Sequence, residues 1–256
     1  MRDVGKEIEQ KLDEIERQEN VRILHAVESG SRAWGFPSPD SDYDVRLVYV
    51  RPASDYLSIE EPRDVIEWQL DEVLDVNGWD LKKALRQFAK GNAALFEWSG
   101  SPIVYRTSSE WEAIRKVSQA YFSEKAAIGH YCGMALNTLK NFLSGDAVRY
   151  KKYFYALRPI LAARFVEEFH TAPPVLFSEL MKLDFGQDVK AAVEELLVIK
   201  KGLSEKDERP QIPVIHSFIE RETERLKDLV ERQPDDHNGD LTSLNELFRK
   251  ICGNQE

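Results

Sequence analysis

The sequence predicts an α+β protein: a small sheet-containing domain over residues 1–108, followed by an all-helical domain over 109–256. Two observations carry this. Short segments rich in branched aliphatics and bounded by turn residues crowd the first hundred positions. After Ser109 an apolar spacing of three and four takes over. A chain of 256 residues is also long enough to bury a real core.

The elements follow in order. Residues 3–18 place Val4, Ile8, Leu12 and Ile15 on one face of an amphipathic helix. VRILHAV, 21–27, reads as a strand that Gly30 and Ser31 end. A polar connection containing Pro37 and Pro39 leads to a second strand, YDVRLVYV, 43–50. DVIEWQL, 64–70, and EVLDVNGW, 72–79, are two more, close enough to form a hairpin. DLKKALRQFAKGN is a helix with Leu81, Ala84, Leu85 and Phe88 on one face, stopped by Gly91 and Asn92. AALFEWS adds a further helical turn or two, and IVYR, 103–106, a last short strand. Helices are then expected over 109–122, 124–143, 148–169, 188–200, 211–231 and 239–252, punctuated by Pro173-Pro174, Gly202 and QPDDHNGD.

Composition narrows the function classes. Apolar content of 42% and charged content of 31% are ordinary for a globular protein. Unbroken apolar runs are only a few residues long, which predicts no membrane span, and MRDVGKEIEQKL lacks the apolar core of a signal peptide. The expected location is the cytoplasm, with Cys132 and Cys252 as free thiols. His25, His130, His170, His216 and His237 are scattered with no metal-ligand spacing, which argues against a histidine-rich zinc or iron site. His25, on the first strand, is read as a satisfied core or sheet-edge histidine. A net charge of −10 argues against binding long nucleic acid over the whole surface. Residues 140–165, however, hold Lys140, Arg149, Lys151, Lys152, Arg158 and Arg164 against the single acid Asp146. That suits a phosphate-bearing substrate handled at one site, or else a solvated helix face.

The stretch ESGSRAWGFPSPDSDYDVRLVYV, 28–50, carries the chemistry. Successive strand residues alternate faces, so Asp42 and Asp44 point to the same side. Two carboxylates there repel, and each favours protonation of its neighbour. A divalent cation between them reverses the penalty, and Mg²⁺ takes one or two carboxylates together with substrate phosphates. Gly30 lets backbone approach a ligand closely. Ser31 is expected to cap a helical turn formed by RAWGF, and Arg32 brings a charge suited to phosphate.

In combination these residues resemble the polymerase-β-like nucleotidyltransferase superfamily, whose pattern is Gly-Ser, about ten residues, then Asp-x-Asp/Glu; here ten residues separate Ser31 from Asp42. With LDVNGWDLKKAL, EWSGSPIVY and KKYFYALRPILAARF, the match extends over about residues 21–165 and is similar to the YcgL/RlaP type, associated with RNA repair. The resemblance implies a nucleotidyltransferase sheet core with two Mg²⁺ ions, for which Mn²⁺ can substitute. Asp42 and Asp44 would hold both ions, and a third acid on a later strand one of them. The family spacing puts that acid at Asp75; Asp80 is the competitor, although WDLKKAL makes it a helix cap. Asp75 would also help deprotonate the acceptor.

The implied reaction is Mg-dependent transfer of an NMP from an NTP, ATP among them, to a hydroxyl acceptor, with release of pyrophosphate. Gly30 and Ser31 would hold the β and γ phosphates. On the helical side Lys151, Tyr155 and Arg158 fall on one stripe with Lys152 close by; the cations could bind triphosphate and Tyr155 could stack on a base. A short RNA 3′ end, a protein side chain and a small molecule remain open as acceptors. The alternative of another class is a non-catalytic nucleotide- or RNA-binding adaptor on a degenerate transferase fold, whose signature would be the loss of one acid of Asp-x-Asp. The sequence gives no reading of oligomeric state.

Overall fold

A computed structural model describes residues 4–38, 41–69, 73–200 and 208–253. Its chain forms two compact units, one comprising Met1–Trp34, Asp40–Phe122 and His237–Glu256, the other Gly35–Pro39 and Ser123–Asp236.

The first unit is built on a mixed five-stranded sheet. Its elements are α1 (Val4–Glu19), β1 (Arg22–Glu28), α2 (Gly30–Ala33), β2 (Tyr43–Val50), α3 (Ala53–Tyr56), β3 (Val65–Gln69), β4 (Leu74–Asp80), α4 (Leu81–Ala89), α5 (Ala93–Ser99), β5 (Val104–Thr107) and α6 (Ser109–Ser118). A 3₁₀ turn at Gln119–Tyr121 and a helix at Thr242–Gly253 complete it. The strand order is β3-β4-β2-β1-β5. β1 runs antiparallel to both β2 and β5, β2 runs parallel to β4, and β3 closes an antiparallel edge on β4.

The pleat divides β2 cleanly. Val45, Leu47 and Tyr49 bury against Ile8, Leu12 and Ile15 of α1 on one face. Val48 and Val50 bury on the other face against Leu81, Leu85 and Phe88 of α4, Trp111 and Ile114 of α6, and Leu244 and Ile251 of the helix Thr242–Gly253. Period-two alternation therefore puts Asp44 and Arg46 on the second face. In β4, Leu74 and Val76 face α1, so Asp75 falls on that same second face. His25 stacks on Trp111 at 4.5 Å between ring centroids and is 5% exposed, a satisfied core histidine. Arg106 on β5 anchors α1 by ion pairs to Glu9, Asp13 and Glu16 at 2.8–3.0 Å.

The second unit is helical: α7 (Glu124–Phe142), α8 (Tyr150–Phe169), α9 (Phe177–Leu180), α10 (Gln187–Lys200) and α11 (Pro213–Arg232), with a short antiparallel ribbon of β6 (Ala147–Arg149) and β7 (Glu208–Pro210). The middle of α8, residues 156–163, is buried all round, and Tyr153, Phe154 and Val166 are buried beside it. Arg225 of α11 grips Glu167 of α8 with two bonds of 2.7 Å, and Glu222 receives Arg164 and Arg225 at 2.9 and 3.0 Å.

The α+β class is as the sequence predicts, and the differences are local. Residues 147–149 pair in the ribbon, so the helix expected from 148 starts at Tyr150. The helix expected over 109–122 ends at Ser118 and tightens into the 3₁₀ turn. The two units do not divide at residue 108. Residues 109–122 and 237–256 group with the sheet, because Trp111, Ile114, Leu244 and Ile251 complete its core. Pro39, Gly202 and residues 70–72 between the hairpin strands lie outside the described residues. No helix among the described residues is long and apolar enough to cross a membrane.

Candidate active site

The site grows from the junction of β1, α2 and β2. Gly30 opens α2 at φ +60°, a left-handed conformation that glycine adopts without cost. It must be glycine for a second reason. A β-carbon there would lie 2.3 Å from Oδ2 of Asp44. The backbone N–H of Ser29 donates to the Asp44 carbonyl at 2.8 Å, extending the β1–β2 ladder to the edge of the turn.

Asp44 and Asp75 are register partners in the parallel pair β2–β4. Asp42 precedes β2 and is exposed. Burial raises the Asp44 carboxyl above the ordinary carboxylate range; the Arg46 charge opposes this, and the charges of Asp75 and Asp42 add to it. The charges of Asp42 and Asp75 are thus both felt at Asp44.

Two further residues, which sequence reasoning did not single out, shape the cluster. Glu28 is 1% exposed; its Oε1 accepts from the Asp44 N–H at 2.8 Å and its Oε2 from the Tyr105 hydroxyl. Burial raises its carboxyl, against the lowering effect of those two bonds. Its signal was its place, the last residue of a strand beside the Gly-Ser turn. Arg46 donates from Nη2 to Asp44 Oδ1 at 3.1 Å and to Asp75 Oδ2 at 2.8 Å, and from Nη1 to the Val45 carbonyl at 3.0 Å. Its signal was a spacing of two from Asp44.

The other expected site residues fall as follows. Ser31 does not cap a following turn; it lies inside α2, 5% exposed, because the helical turn starts two residues earlier, after Ser29. Arg32 folds back onto its own loop: Nε donates to the Asp42 carbonyl at 3.0 Å, Nη2 to the Ser41 carbonyl at 2.7 Å, and the guanidinium lies 3.6 Å from the Tyr43 ring centroid. Asp80 caps α4, accepting from the Lys82 N–H at 2.8 Å and from the Tyr56 hydroxyl at 2.7 Å. It pairs in register with Tyr49, five positions along the ladder from Asp44 and Asp75.

In the second unit Lys151 and Lys152 lie 6.0 and 5.1 Å from the Tyr155 ring centroid, a cation–aromatic group at the start of α8. Burial lowers the Lys152 ammonium pKa. Arg158 departs from the expected stripe. It is 0% exposed, its guanidinium 5.6 Å from the Tyr131 ring centroid, because it lies in the stretch 156–163 where α8 is buried all round and a three-and-four spacing does not mark a solvent face.

Asp44 and Asp75, paired in register and offering only oxygen donors, suit a hard divalent cation such as Mg²⁺. Among the described residues, Asp42, Asp44 and Asp75 do not bring three ligand atoms within 4.8 Å of one another, whereas the exposed Asp235, Asp236 and His237 do. The cationic nitrogen of Arg46 is held between Asp44 and Asp75, so the point between them draws positive charge.

Comparison with known proteins identifies the family. A family model described as "RlaP: RNA repair pathway DNA polymerase beta family" matches residues 4–250. An "Uncharacterized protein YcgL" of Bacillus subtilis (strain 168) is 45% identical over 239 residues, which is 93% of this chain and 92% of that protein. Among solved structures, a nucleotidyltransferase-like protein from Exiguobacterium sibiricum 255-15 aligns over 97% of this chain and 81% of its own, at 15% identity and a TM-score of 0.33. At that score nothing is carried over from it.

Proposed function

The chain belongs to the RlaP family, the RNA repair pathway DNA polymerase beta family, and from that premise we propose that it is a metal-dependent nucleotidyltransferase that moves an NMP from an NTP to a hydroxyl, with an RNA 3′ end as the acceptor. The observation that carries the reading is the register pairing of Asp44 with Asp75, with Asp42 adding its charge to the same point.

In this reading Asp42, Asp44 and Asp75 hold the divalent metal, Mg²⁺ or Mn²⁺, which when bound supplies charge for the triphosphate and acidity for the acceptor hydroxyl. Asp75, whose side chain is 47% exposed, takes the acceptor's proton. The acceptor oxygen bonds to the α-phosphorus, the bond from that phosphorus to the bridging oxygen of the β-phosphate breaks, and pyrophosphate leaves. Gly30 and Ser31 offer close backbone to the β and γ phosphates, and Glu28 fixes the backbone of Asp44. Arg32, engaged by two carbonyls, serves the loop more than the phosphates. Lys151, Lys152 and Tyr155 are assigned to phosphate and base; their replacement should raise the KM for NTP. Arg158 supports α8 from within.

The experiment is incubation with each α-labelled NTP, Mg²⁺ or Mn²⁺ and a pool of short RNAs, beside the Asp42→Ala/Asp44→Ala variant. Label on RNA that the variant loses supports the reading. Label on the protein itself moves the acceptor to a side chain. One observation favours the second reading, a nucleotide- or RNA-binding adaptor: an arginine already neutralises two of the acids. Retention of NTP or RNA with no label transferred selects that reading.

A further inference from the structure

We infer that Arg46 is the resident counter-ion of the acid cluster, held where the divalent cation binds, so that metal uptake and release of the Arg46 guanidinium are a single exchange. The inference rests on the metal-dependent reading above and gives a role to a residue which that reading leaves unused.

The geometry is specific. One nitrogen, Nη2, is shared between carboxylates on two neighbouring strands, 3.1 Å from Asp44 Oδ1 and 2.8 Å from Asp75 Oδ2. A magnesium ion sits about 2.0–2.1 Å from each oxygen ligand. A cation drawn to these two carboxylates would compete with Nη2 for the same oxygens, and a guanidinium and a dication repel. The two cannot share the pair of acids.

The contact has two consequences of opposite sign. Without a metal, Asp44 and Asp75 face each other with Asp42 adding its charge, and like charges so placed destabilise the fold. Arg46 offsets that repulsion. In the presence of metal the same contact is a competitor, whose bonds to the two carboxylates must be given up. The Arg46 side chain is 20% exposed, and its Nη1 is tied to the Val45 carbonyl at 3.0 Å and more loosely to the Asp75 carbonyl at 3.4 Å. Giving up the carboxylates leaves it these backbone partners and a partial exposure to water.

The test is Mn²⁺ binding to the full chain, read by the electron paramagnetic resonance signal of free Mn²⁺, for the wild type, Arg46→Gln, Arg46→Lys and Asp44→Asn/Asp75→Asn. Arg46→Gln should bind Mn²⁺ at least tenfold more tightly than wild type, and Arg46→Lys, which keeps a charge without the planar fork, should fall between. Thermal melting adds a reading independent of affinity. Arg46→Gln should melt below wild type without metal and gain more than wild type on adding Mn²⁺. If the asparagine pair loses Mn²⁺ while Arg46→Gln binds it no better than wild type, the exchange is wrong and the metal site stands. If the asparagine pair binds Mn²⁺ as wild type does, or no variant binds it, the metal site fails and the exchange with it. Should the glutamine variant not fold, the lysine variant carries the same comparison.

Discussion

A single methyl group added to Gly30 would lie 2.3 Å from the Oδ2 of Asp44, so the turn and the acid have room for one another only while residue 30 lacks a side chain. Gly30→Ala must also hold alanine at φ +60°, which costs about 1–2 kcal/mol by itself. The expected outcome is a lower melting temperature and, because Asp44 must shift, a loss of turnover of about a hundredfold or more. Steady-state kinetics on the folded fraction checks it. Full activity in a normally stable alanine variant would remove Asp44 from the reaction.

Asp75 and Asp80 lie on one strand and are expected to respond oppositely. Asp75→Asn should lower turnover by about a thousandfold or more, since the metal loses an anionic ligand, while barely changing the melting temperature. Asp80→Ala removes the cap of α4 and a buried bond to Tyr56, costing about 1–3 kcal/mol of stability, with turnover per folded molecule kept. Denaturant melts beside kinetics separate the two.

Glu28 shows that charge and hydrogen bonding can be separated at one position. Glu28→Gln keeps an oxygen for the Asp44 N–H, and the Tyr105 hydroxyl can turn to accept from the amide. Activity should survive. Glu28→Ala leaves a backbone N–H unpaired and should cost about 1–3 kcal/mol together with most of the turnover. The pH dependence has a definite sign. Burial raises the Glu28 carboxyl in the fold, so the folded protein holds that proton more tightly than the unfolded chain. Wild type therefore gains stability from this group as pH falls through the raised value and loses it as pH climbs. The stability advantage of Glu28→Gln over wild type should grow as pH climbs from the ordinary carboxylate range through the raised value, a trend that chemical denaturation at each pH would reveal.

His25 works in the opposite direction. Burial pushes its imidazole down to about 4 from the ordinary 6.5. Between those values the unfolded chain binds a proton that the fold refuses, so stability falls as pH drops from 6.5 towards 4, by an amount on the order of a few kcal/mol. A His25→Phe variant keeps a ring to stack on Trp111 and should lose that slope, whatever its stability at pH 7. Parallel curves for the two proteins would show that His25 does not titrate in this window.

What the sequence disclosed follows from the range of the forces involved. Asp42 and Asp44 could be placed at a strand edge because alternation is local. The β3–β4 hairpin was legible from the short gap between its strands. The parallel pairing that sets Asp75 opposite Asp44 is a long-range choice, and family spacing, not periodicity, pointed to it. Arg158 departs from the expected stripe because the middle of α8 is buried all round, so the rule that charged stripes face water has no purchase there. Ser31 was misjudged because Gly30, with its positive φ, starts the helical turn early. The grouping of residues 237–256 with the sheet depends on Leu244 and Ile251 reaching a core formed more than a hundred positions earlier. No local pattern reports that.

β2 is hydrogen-bonded on both flanks, by β1 and by β4. Its backbone therefore cannot follow an arriving molecule, and Asp44 is a fixed reference to which the guest must adjust. Discrimination between one hydroxyl and another belongs to whatever surrounds that reference. A version of this chain retuned to a new acceptor would be altered around the sheet and left alone within it.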